Sequence, residues 1–413
     1  MNAEQAERYL LSLELFGMRF GLDRMRRLMT ALGHPERRFD SIHVVGTNGK
    51  SSTVRMIAAI LARHGLRTGA YLSPHLVSFG ERIRIDDGDL GPDRFGAAVA
   101  RAARAAELVD RSAGADDRVT QFEALTAAAY SELAEQGVEV AVIEAGLGGR
   151  YDATNVIPSR VQVLTSVGLE HTRWLGPTLT DIAGEKLAVV NRSATLVLGA
   201  GLAAEVVGVA ERVAAEQHAE IVWAGTDPGV WVGAPGAYQR RNFALAVTAA
   251  KAFLGELDEN AVAAAAAEVR VPGRLQQVDT EPLTLLDGAH NPEGMQALVE
   301  AISELAARDG RTVAVLSILE DKDAAGMLSA LLPACDALIV TSSQNPRALS
   351  PATLLSLTSQ LNGPPAEIVP KPRQALARAR ELAGAEGLVV ATGSIYLIAD
   401  LLAPARGRRA SIL

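Results

Sequence analysis

The sequence contains a single cysteine, Cys335, among its 413 residues. One thiol cannot form a disulfide within the chain, and this sparse use of cysteine favours a reducing compartment. Cys335 stands in a mostly apolar run, residues 331–340. This position predicts a residue of the hydrophobic core.

Long apolar runs are also absent. The sequence has no uninterrupted apolar stretch of about 18 residues, the length that a membrane-spanning helix needs. Residues 1–11 carry polar and acidic side chains where a signal peptide requires an apolar region. We therefore expect a soluble cytoplasmic protein with no membrane partner.

An excess of positive charge is the third absence. Lysine and arginine total 40 against 48 aspartate and glutamate residues, so the formal net charge is −8 at pH 7. Proteins that neutralise nucleic-acid phosphates need a basic surface, so this balance argues against general nucleic-acid binding. An anionic ligand must instead meet basic groups that the fold gathers locally.

Residues 43–52, with the sequence HVVGTNGKSS, have the pattern of a strand end, a turn and a helix start. Residues 41–45 form a short apolar run, and residues 51–63 carry apolar side chains at helical spacing. Gly46 and Gly49 allow a tight turn with inward N–H groups, and the helix N-terminus adds about half a positive charge. This arrangement predicts a phosphate-binding turn.

The side chains that follow the turn suit a nucleotide. Lys50 would bring a full positive charge to the β- and γ-phosphates, and the hydroxyl of Ser51 or Ser52 would bind Mg²⁺. The match to the general pattern G-x-x-x-x-G-K-[ST] is incomplete, because Val44 occupies the position of its first glycine. On this segment alone, a plain turn between strand and helix remains the alternative.

Predicted strands alternate with predicted helices along the chain, which indicates parallel sheets covered by helices on both faces. The predicted strands are 41–45, 68–72, 138–143, 161–167, 195–198, 283–286, 313–316, 337–340, 366–369 and 388–391. The predicted helices include 4–32, interrupted at Gly17 and Gly21, and 51–63, 97–109, 122–136, 181–190 and 260–268. Ligands of such sheets bind at the carboxyl ends of the strands.

The breaker sequence VPGR, residues 271–274, follows the alanine-rich helix 260–268, and the alternation restarts after it. We therefore expect residues 1–270 to form one domain and residues 271–274 a linker. Residues 275–413 would form a second, smaller α/β domain of about 140 residues.

Acidic residues and histidines stand where predicted strands end. Glu144 follows the strand 138–143, His171 follows the strand 161–167, and Asp287 and His290 follow the strand 283–286. A carboxylate at such a position suits a metal ion or the positioning of a reacting group. For Glu144 the alternative is a cap of the next loop, and for His171 it is an ordinary hydrogen bond, because Mg²⁺ prefers oxygen ligands.

A series of motifs extends over nearly the whole chain. They are residues 46–50, 73–76, 81–83, 144–155, 170–172, 175–176, 182–186, 272–274, 287–292, 321–323 and 393–397. In type and order they resemble the motifs of the folylpolyglutamate synthase and dihydrofolate synthase family, within the Mur-ligase type of ATP-dependent amide-forming enzymes.

The resemblance implies a fold and an activity. The fold would be α/β, with a phosphate-loop ATPase domain of the Mur-ligase type around a mostly parallel sheet and a smaller Rossmann-like C-terminal domain. The activity would be ATP- and Mg²⁺-dependent ligation of L-glutamate to dihydropteroate or a reduced folate through an acyl phosphate, by a monomer. A Mur-type ligase acting on a peptidoglycan precursor, or a phosphate-loop ATPase without ligation, remains the alternative.

The resemblance also implies residues of the nucleotide and metal sites. Those for the nucleotide are Gly46, Thr47, Asn48, Gly49, Lys50, Ser51, Ser52, Asn242, Arg274, Asp287 and His290. Those for Mg²⁺ are Ser73, Glu144 and His171, with Ser51 as a supplement to Ser73 or its replacement.

Catalytic and substrate residues follow from the same resemblance. Lys50, Lys186 and His171 would be catalytic, with Lys186 carbamylated to help hold a second Mg²⁺; an ordinary helix-surface lysine is the alternative. The substrate residues would be Arg82, Ser394 and Tyr396 for glutamate, and His75, Gln121 and Asp152 for the pterin-containing substrate.

The sequence departs from the family pattern at several points. Ser51 stands where the family usually has glycine, Tyr238 where histidine is common, and Glu170 where aspartate usually precedes the histidine. Residues 224–238 form a shorter segment than the family's. These departures bear on the metal ligand after Lys50 and on some nucleotide contacts.

Overall fold

The computed structural model describes residues 1–13, 21–114, 117–305 and 310–404. The chain divides into two compact units. The first comprises Met1–His75, Phe79–Gly233 and Arg240–Val269; the second comprises Leu76–Ser78, Ala234–Gln239 and the chain from Arg270 onward. The second unit thus includes two short segments from earlier in the sequence.

The first unit is built on an eight-stranded sheet of order β4-β3-β2-β5-β1-β6-β7-β8. Its strands are β1 (Asp40–Val45), β2 (Thr68–Tyr71), β3 (Ile83–Ile85), β4 (Gly88–Asp89), β5 (Val140–Glu144), β6 (Val161–Leu164), β7 (Thr195–Leu198) and β8 (Glu220–Trp223). All neighbours pair in parallel except β2 with β3 and β3 with β4. The central strands β1 and β5 are buried, because helices cover both faces of the sheet.

Helices precede, connect and follow these strands. They are α1 (Ala3–Ser12), α2 (Asp23–Ala31), α3 (Lys50–Arg63), α4 (Pro92–Arg111), α5 (Gln121–Glu135), α6 (Thr172–Leu175), α7 (Leu179–Leu187), α8 (Ala204–Gln217), α9 (Ala237–Leu254) and α10 (Glu259–Glu268). Capping boxes start α5, through Thr120 and Glu123, and α7, through Thr178 and Asp181. None of the described helices is long and apolar enough to cross a membrane.

The second unit has a six-stranded sheet of order β13-β12-β11-β14-β10-β9, in which only β9 is antiparallel to its neighbour. Its strands are β9 (Gln276–Thr280), β10 (Leu283–Leu286), β11 (Thr312–Leu316), β12 (Ala337–Val340), β13 (Ala366–Ile368) and β14 (Leu388–Thr392). Its helices are α11 (Pro292–Leu305), α12 (Ala324–Leu331), α13 (Pro351–Gln360), α14 (Pro372–Ala383) and α15 (Ile395–Leu402). Cys335 is half-buried and packs against the core of this unit, as predicted.

These two mostly parallel sheets confirm the predicted α/β class. One predicted strand is too long: β6 ends at Leu164 rather than at residue 167, because Thr165 and Ser166 leave the sheet to contact the phosphate-binding turn. The edge strands β4, β8 and β9, and β3 beside β4, were not predicted. The predicted interruption at Gly17 lies outside the described residues.

Candidate active site

Two glycines shape the turn between β1 and α3. Gly46 has a φ of +150°, and a Cβ there would lie 1.9 Å from Thr165 Oγ1. Gly49 has a φ of +87°, and a Cβ there would lie 2.6 Å from Asn242 Oδ1. Only glycine fits at either position. The same geometry places Asn242, a predicted nucleotide residue, directly beside the turn.

The segment that follows β6 braces this turn. Ser166 O accepts from Thr47 N at 2.8 Å, and Ser166 Oγ accepts from Asn48 N at 2.9 Å. Thr165 Oγ1 donates to Asn48 O at 2.6 Å, and Gly168 N donates to Thr47 Oγ1 at 3.0 Å. Sequence reasoning missed this brace because Thr165 and Ser166 were assigned to a strand. Two polar residues directly after an apolar run are the signal that could have found them.

Two predicted catalytic lysines converge on one backbone carbonyl. Lys50 Nζ donates to Gly46 O at 3.0 Å, and Lys186 Nζ donates to the same oxygen at 2.8 Å. Lys186 is only 4% exposed, so the alternative of a surface lysine is wrong. Burial, reinforced by the nearby Lys50 cation, lowers the pKa of Lys186 to about 7, although Glu170 and Asp152 act in the opposite direction. A substantial share of this amine is therefore neutral near pH 7.

Three of the predicted metal ligands lie together at the end of β5. Glu144 is 1% exposed, and its Oε1 accepts from Ser51 Oγ at 2.9 Å. Its Oε2 accepts from the backbone N of Ser73 at 3.2 Å. Ser52, on the next position of α3, is buried. Carboxylate and hydroxyl oxygens are the donors that Mg²⁺ prefers, so this cluster fits the ion.

His171 has a φ of +53° and directly precedes α6. Its Nε2 lies 3.3 Å from Oε1 of Glu170, the residue that stands where the family usually has aspartate. Within the described ranges, no three or more histidine, cysteine, aspartate or glutamate side chains gather as a metal cluster. The predicted set does not need one, because serine hydroxyls supply part of it. Metal binding by His171 stays a prediction.

Two predicted substrate residues, His75 and Arg82, contact each other. Arg82 Nε donates to His75 Nδ1 at 2.9 Å, and both side chains are buried. The Phe79 ring packs against both, 4.3 Å from the His75 ring and 5.4 Å from the Arg82 guanidinium carbon. Burial and the Arg82 cation hold the pKa of His75 well below its usual value, so this imidazole is neutral and accepts a hydrogen bond.

Gln121 and Asp152 are also buried, and both hydrogen-bond to the protein itself. Gln121 Nε2 donates to Leu10 O at 2.8 Å. Asp152 Oδ2 accepts from Leu147 N at 2.8 Å, and its Oδ1 accepts from Thr154 N at 3.0 Å. The Asp152 carboxylate thus organises its own loop, and its predicted contact with substrate stays a prediction.

In the second unit, Asp287 follows β10 and is held by several donors. Its Oδ2 accepts from Tyr238 Oη and Leu275 N, both at 2.8 Å. Its Oδ1 accepts from a third donor, a backbone N–H, also at 2.8 Å. Burial and the neighbouring carboxylate raise the pKa of Tyr238 well above its usual value, so the phenol keeps its proton and donates. Arg274 lies beside this loop, because a Cβ at Gly288 would lie 2.8 Å from its Nη1.

The other predicted residues of the second unit have local roles in the structure. His290 Nδ1 lies 2.9 Å from Gly288 O. Ser394 is 1% exposed and caps α15, because its Oγ accepts from Tyr396 N at 3.1 Å. The structure therefore assigns Ser394 a capping bond, and glutamate binding by Ser394 and Tyr396 stays a prediction.

Comparison with known proteins adds a second line of observation. Residues 273–395 match the family model of the Mur ligase, glutamate ligase domain. The dihydrofolate synthase/folylpolyglutamate synthase of Mycobacterium tuberculosis is 36% identical over 383 residues, which cover 83% of this chain and 78% of that protein. The protein of the same name from Bacillus subtilis is 32% identical over 416 residues, which cover 94% of this chain and 95% of that protein.

Solved structures agree with these relatives over nearly the full length. Folylpolyglutamate synthase of Mycobacterium tuberculosis complexed with ADP superimposes with a TM-score of 0.89 at 32% identity, covering 97% of both chains. Escherichia coli FolC in complex with DHPP and ADP superimposes with a TM-score of 0.87 at 29% identity, again covering 97% of both chains.

Proposed function

The chain belongs to the dihydrofolate synthase/folylpolyglutamate synthase family of Mur-type ligases, and from this premise we propose how its residues add L-glutamate to a pteroate or folate carboxylate at the expense of ATP. One observation carries the proposal. Lys50 and Lys186 converge on Gly46 O, in a turn that only glycine can form. The Lys50 cation beside the N–H groups of this turn suits a polyanionic ligand such as a nucleoside triphosphate, and the buried Lys186 amine lies next to it.

ATP would occupy the phosphate-binding turn. The backbone N–H groups of residues 46–49 and the first turn of α3 would hold the phosphates, and Lys50 Nζ would turn from Gly46 O toward them. Asn242 lies beside the turn and would contact the same nucleotide. In the second unit, Arg274, Asp287 and His290 are the proposed nucleotide residues.

Ser51, Ser73, Glu144 and His171 would hold Mg²⁺. The hydrogen bond from Ser51 Oγ supports this set, because it places a hydroxyl oxygen beside the Glu144 carboxylate, and the bond from Ser73 N brings the backbone of Ser73 to the same carboxylate. When bound, the ion offsets the negative charge on the transferring phosphoryl group.

Lys186 would act as a carbamate. Its buried amine, with a pKa of about 7, offers the lone pair that carbamylation needs. The neutral nitrogen would bond to the carbon of CO₂ and lose one proton to solvent, which leaves an anion. The ammonium form must first release a proton of its own, so the full change from cation to anion releases two protons. This change removes the repulsion between Lys186 and Lys50 and creates a ligand for a second cation.

The reaction would proceed by carboxylate activation. A carboxylate oxygen of the acceptor attacks the γ-phosphorus in line, the bond to ADP breaks, and an acyl phosphate forms. The amine of glutamate then attacks the acyl carbon, phosphate leaves and the amine loses a proton. Lys50 offsets the repulsion between the attacking carboxylate and the phosphates, which is a transition-state contribution.

Roles for the remaining residues and regions complete the proposal. Arg82, Ser394 and Tyr396 would bind glutamate, whereas His75, Gln121 and Asp152 would bind the pterin-containing substrate. We propose an ATP-binding domain in residues 1–270, a linker in 271–274 and a ligase domain in 275–413. The monomeric state and the cytoplasmic location stay predictions.

Acceptor-dependent ADP release tests the proposal. Lys50→Ala should lower ADP release in the presence of acceptor and glutamate by about 10³-fold, because it removes the charge that stabilises phosphoryl transfer. The exposed Lys251→Ala is the matched control. Unchanged turnover in Lys50→Ala would refute the assignment. ADP release that requires a UDP-linked acceptor would favour a peptidoglycan ligase, and release independent of any amino acid would favour a plain ATPase.

A further inference from the structure

His43 is a fully buried histidine that the proposed reaction does not use. It lies on β1, the strand that leads into the phosphate-binding turn. Its Nε2 lies 2.8 Å from Thr154 Oγ1, and that hydroxyl is hydrogen-bonded to Asp152 Oδ1. Burial lowers the pKa of His43 to about 3, so the imidazole is neutral. A polar chain therefore connects β1 to the loop that follows β5.

The direction of these hydrogen bonds follows from the donor count. The Thr154 hydroxyl has one proton. Burial raises the pKa of Asp152, although the hydrogen bonds that it accepts oppose this rise. Both of its oxygens are acceptors: Oδ2 accepts from Leu147 N, and Oδ1 accepts from Thr154 N and Thr154 Oγ1. The Thr154 proton therefore points to Asp152, and Thr154 Oγ1 must accept from His43 Nε2–H. This leaves His43 Nδ1 unprotonated, and among the described residues it has no hydrogen-bond partner.

The loop held in this way, residues 145–155, starts directly after Glu144 and packs on α7. Arg150 N donates to Glu185 O at 2.9 Å, and a Cβ at Gly149 would lie 2.5 Å from Lys186 O. The position of this loop therefore bears on two proposed functional groups, the Glu144 carboxylate and the helix that carries Lys186.

We propose that His43 and Thr154 are positioning residues: the bond donated by His43 Nε2–H fixes the Thr154 hydroxyl, which orients Asp152 and holds loop 145–155 in the arrangement that ligation requires. β1 and β5 are adjacent strands, with His43 opposite Ile143, so this tether joins the strand of the phosphate-binding turn to the strand that ends at Glu144. The kinetic consequence rests on the proposed ligase function, whereas the tautomer of His43 does not.

Kinetics of matched variants test the positioning role. Thr154→Val keeps the shape of the side chain and removes the hydroxyl, and Thr154→Ser keeps the hydroxyl. His43→Leu removes the donor, and His43→Gln retains an N–H donor. Thr358→Val is the control, because Thr358 is likewise buried and hydroxyl-bonded, to Leu354 O on α13 in the second unit.

The expected result is a loss in kcat rather than in KM for ATP. Thr154→Val and His43→Leu should each lower kcat by about 10- to 100-fold with KM for ATP changed less than about 3-fold, since the brace from residues 165–168 still holds the turn. Thr154→Ser, His43→Gln and Thr358→Val should stay within about 3-fold of the parent. The double variant His43→Leu with Thr154→Val should be no worse than the poorer single variant. Wild-type kcat in folded Thr154→Val, or losses that multiply, would overturn the proposal.

The tautomer provides a test that does not depend on activity. Nitrogen NMR of isotope-labelled histidine, assigned by the signal missing in His43→Gln, should show a neutral His43 protonated on Nε2 between about pH 6 and pH 8. Protonation of His43 on Nδ1, or titration of His43 in this pH range, would contradict the proposed hydrogen bond from His43 to Thr154 even if the enzyme is a ligase. Conversely, the Nε2–H form in a protein without ligase activity would reject the proposed function and leave the hydrogen bonds intact.

Discussion

The carboxyl ends of the two sheets differ in the charge of their main polar groups and in the hydrogen bonds that these groups make. At the first sheet, Lys50 and Lys186 both donate to Gly46 O, a neutral backbone oxygen, and Lys50 also donates to Thr47 O. At the second, the Asp287 carboxylate accepts three hydrogen bonds, including one from Tyr238. The first arrangement holds the Lys50 cation on neutral carbonyls that an anionic ligand can replace, and the second fixes a polar group before any ligand binds.

This difference indicates where the chemistry lies. Burial and the nearby Lys50 cation lower the pKa of Lys186 and so disfavour its ammonium form. Perturbed titration of a buried group is typical of sites that carry out reactions. A carboxylate that accepts several hydrogen bonds, such as Asp287, instead holds the groups around it in a fixed orientation. We therefore expect substitutions at the carboxyl end of the first sheet to have larger effects on turnover than substitutions at the carboxyl end of the second sheet.

The largest effect is expected from Gly46→Ala. The new Cβ would lie 1.9 Å from Thr165 Oγ1 at a φ of +150°, so the turn and the carbonyl that both lysines contact must move. Acceptor-dependent ADP release should fall by about 10³-fold. The control is Gly208→Ala on the exposed side of α8, where a Cβ meets open space. It should retain activity and stabilise the helix by about 1 kcal/mol, and equal losses in both variants would contradict the account.

The next largest effect is expected from Ser51→Ala, which should weaken Mg²⁺ binding. It removes the hydroxyl that donates to Glu144 Oε1, so the Mg²⁺ concentration for half-maximal activity should rise by about 10- to 100-fold. Ser51→Thr keeps the hydroxyl and is the matched control. Ser73→Ala leaves the backbone N–H on Glu144 in place, so it should cause a smaller shift. A larger shift in Ser73→Ala would transfer the metal-bound hydroxyl to that residue.

Lys186→Met should show a pH-dependent effect on stability. The pKa of Lys186 in the folded protein, about 7, lies below its usual value of 10.5. The wild type is therefore destabilised most below pH 7, where the buried amine is charged, and its stability rises as the pH increases from 7 toward 10.5. In CO₂-free buffer, the variant's stability relative to wild type should therefore be more favourable at about pH 6 than at about pH 8.5, by on the order of 2 kcal/mol.

Urea unfolding at the two pH values measures this difference. Lys251→Met, at an exposed position, is the matched control for the loss of a lysine. A stability difference between Lys186→Met and wild type that is the same at both pH values would contradict the lowered pKa.

The smallest effect is expected from Tyr238→Phe in the second unit. The variant loses one of the three donors to Asp287 and keeps both backbone N–H groups. KM for ATP should rise by about 5-fold, which corresponds to about 1 kcal/mol for one hydrogen bond. A loss of activity as large as that of Gly46→Ala would contradict the difference between the carboxyl ends of the two sheets.

The sequence predicted the parts of the site that depend on local order. Gly46, Gly49 and Lys50 follow from a strand, turn and helix in succession, and Glu144 follows from the rule that ligands bind at strand ends. The contact between Lys186 and Gly46 O could not be predicted from spacing, because it joins positions far apart in the chain. The same holds for the brace from Thr165 and for the chain from His43 to Asp152.

The fold shows the same limit. The buried strand β12 was predicted with its observed bounds, because burial on both faces gives an unbroken apolar run, whereas the prediction 138–143 for β5 begins two residues early and omits Glu144. The edge strand β8 has no buried residue and carries the exposed side chains Glu220 and Trp223, so it has no such pattern. The second unit also includes residues 76–78 and 234–239. These segments could not be predicted, because the amino-acid composition does not change at their ends.

Product analysis tests the central claim most directly. The purified protein would be incubated with ATP, Mg²⁺ and glutamate, together with dihydropteroate or tetrahydrofolate. The masses of the pterin-containing products would then be measured by mass spectrometry. The account predicts an acceptor that gains one or more glutamyl residues, with one ADP released for each residue added. ADP release without any glutamylated product, or the same release when glutamate is omitted, would contradict it.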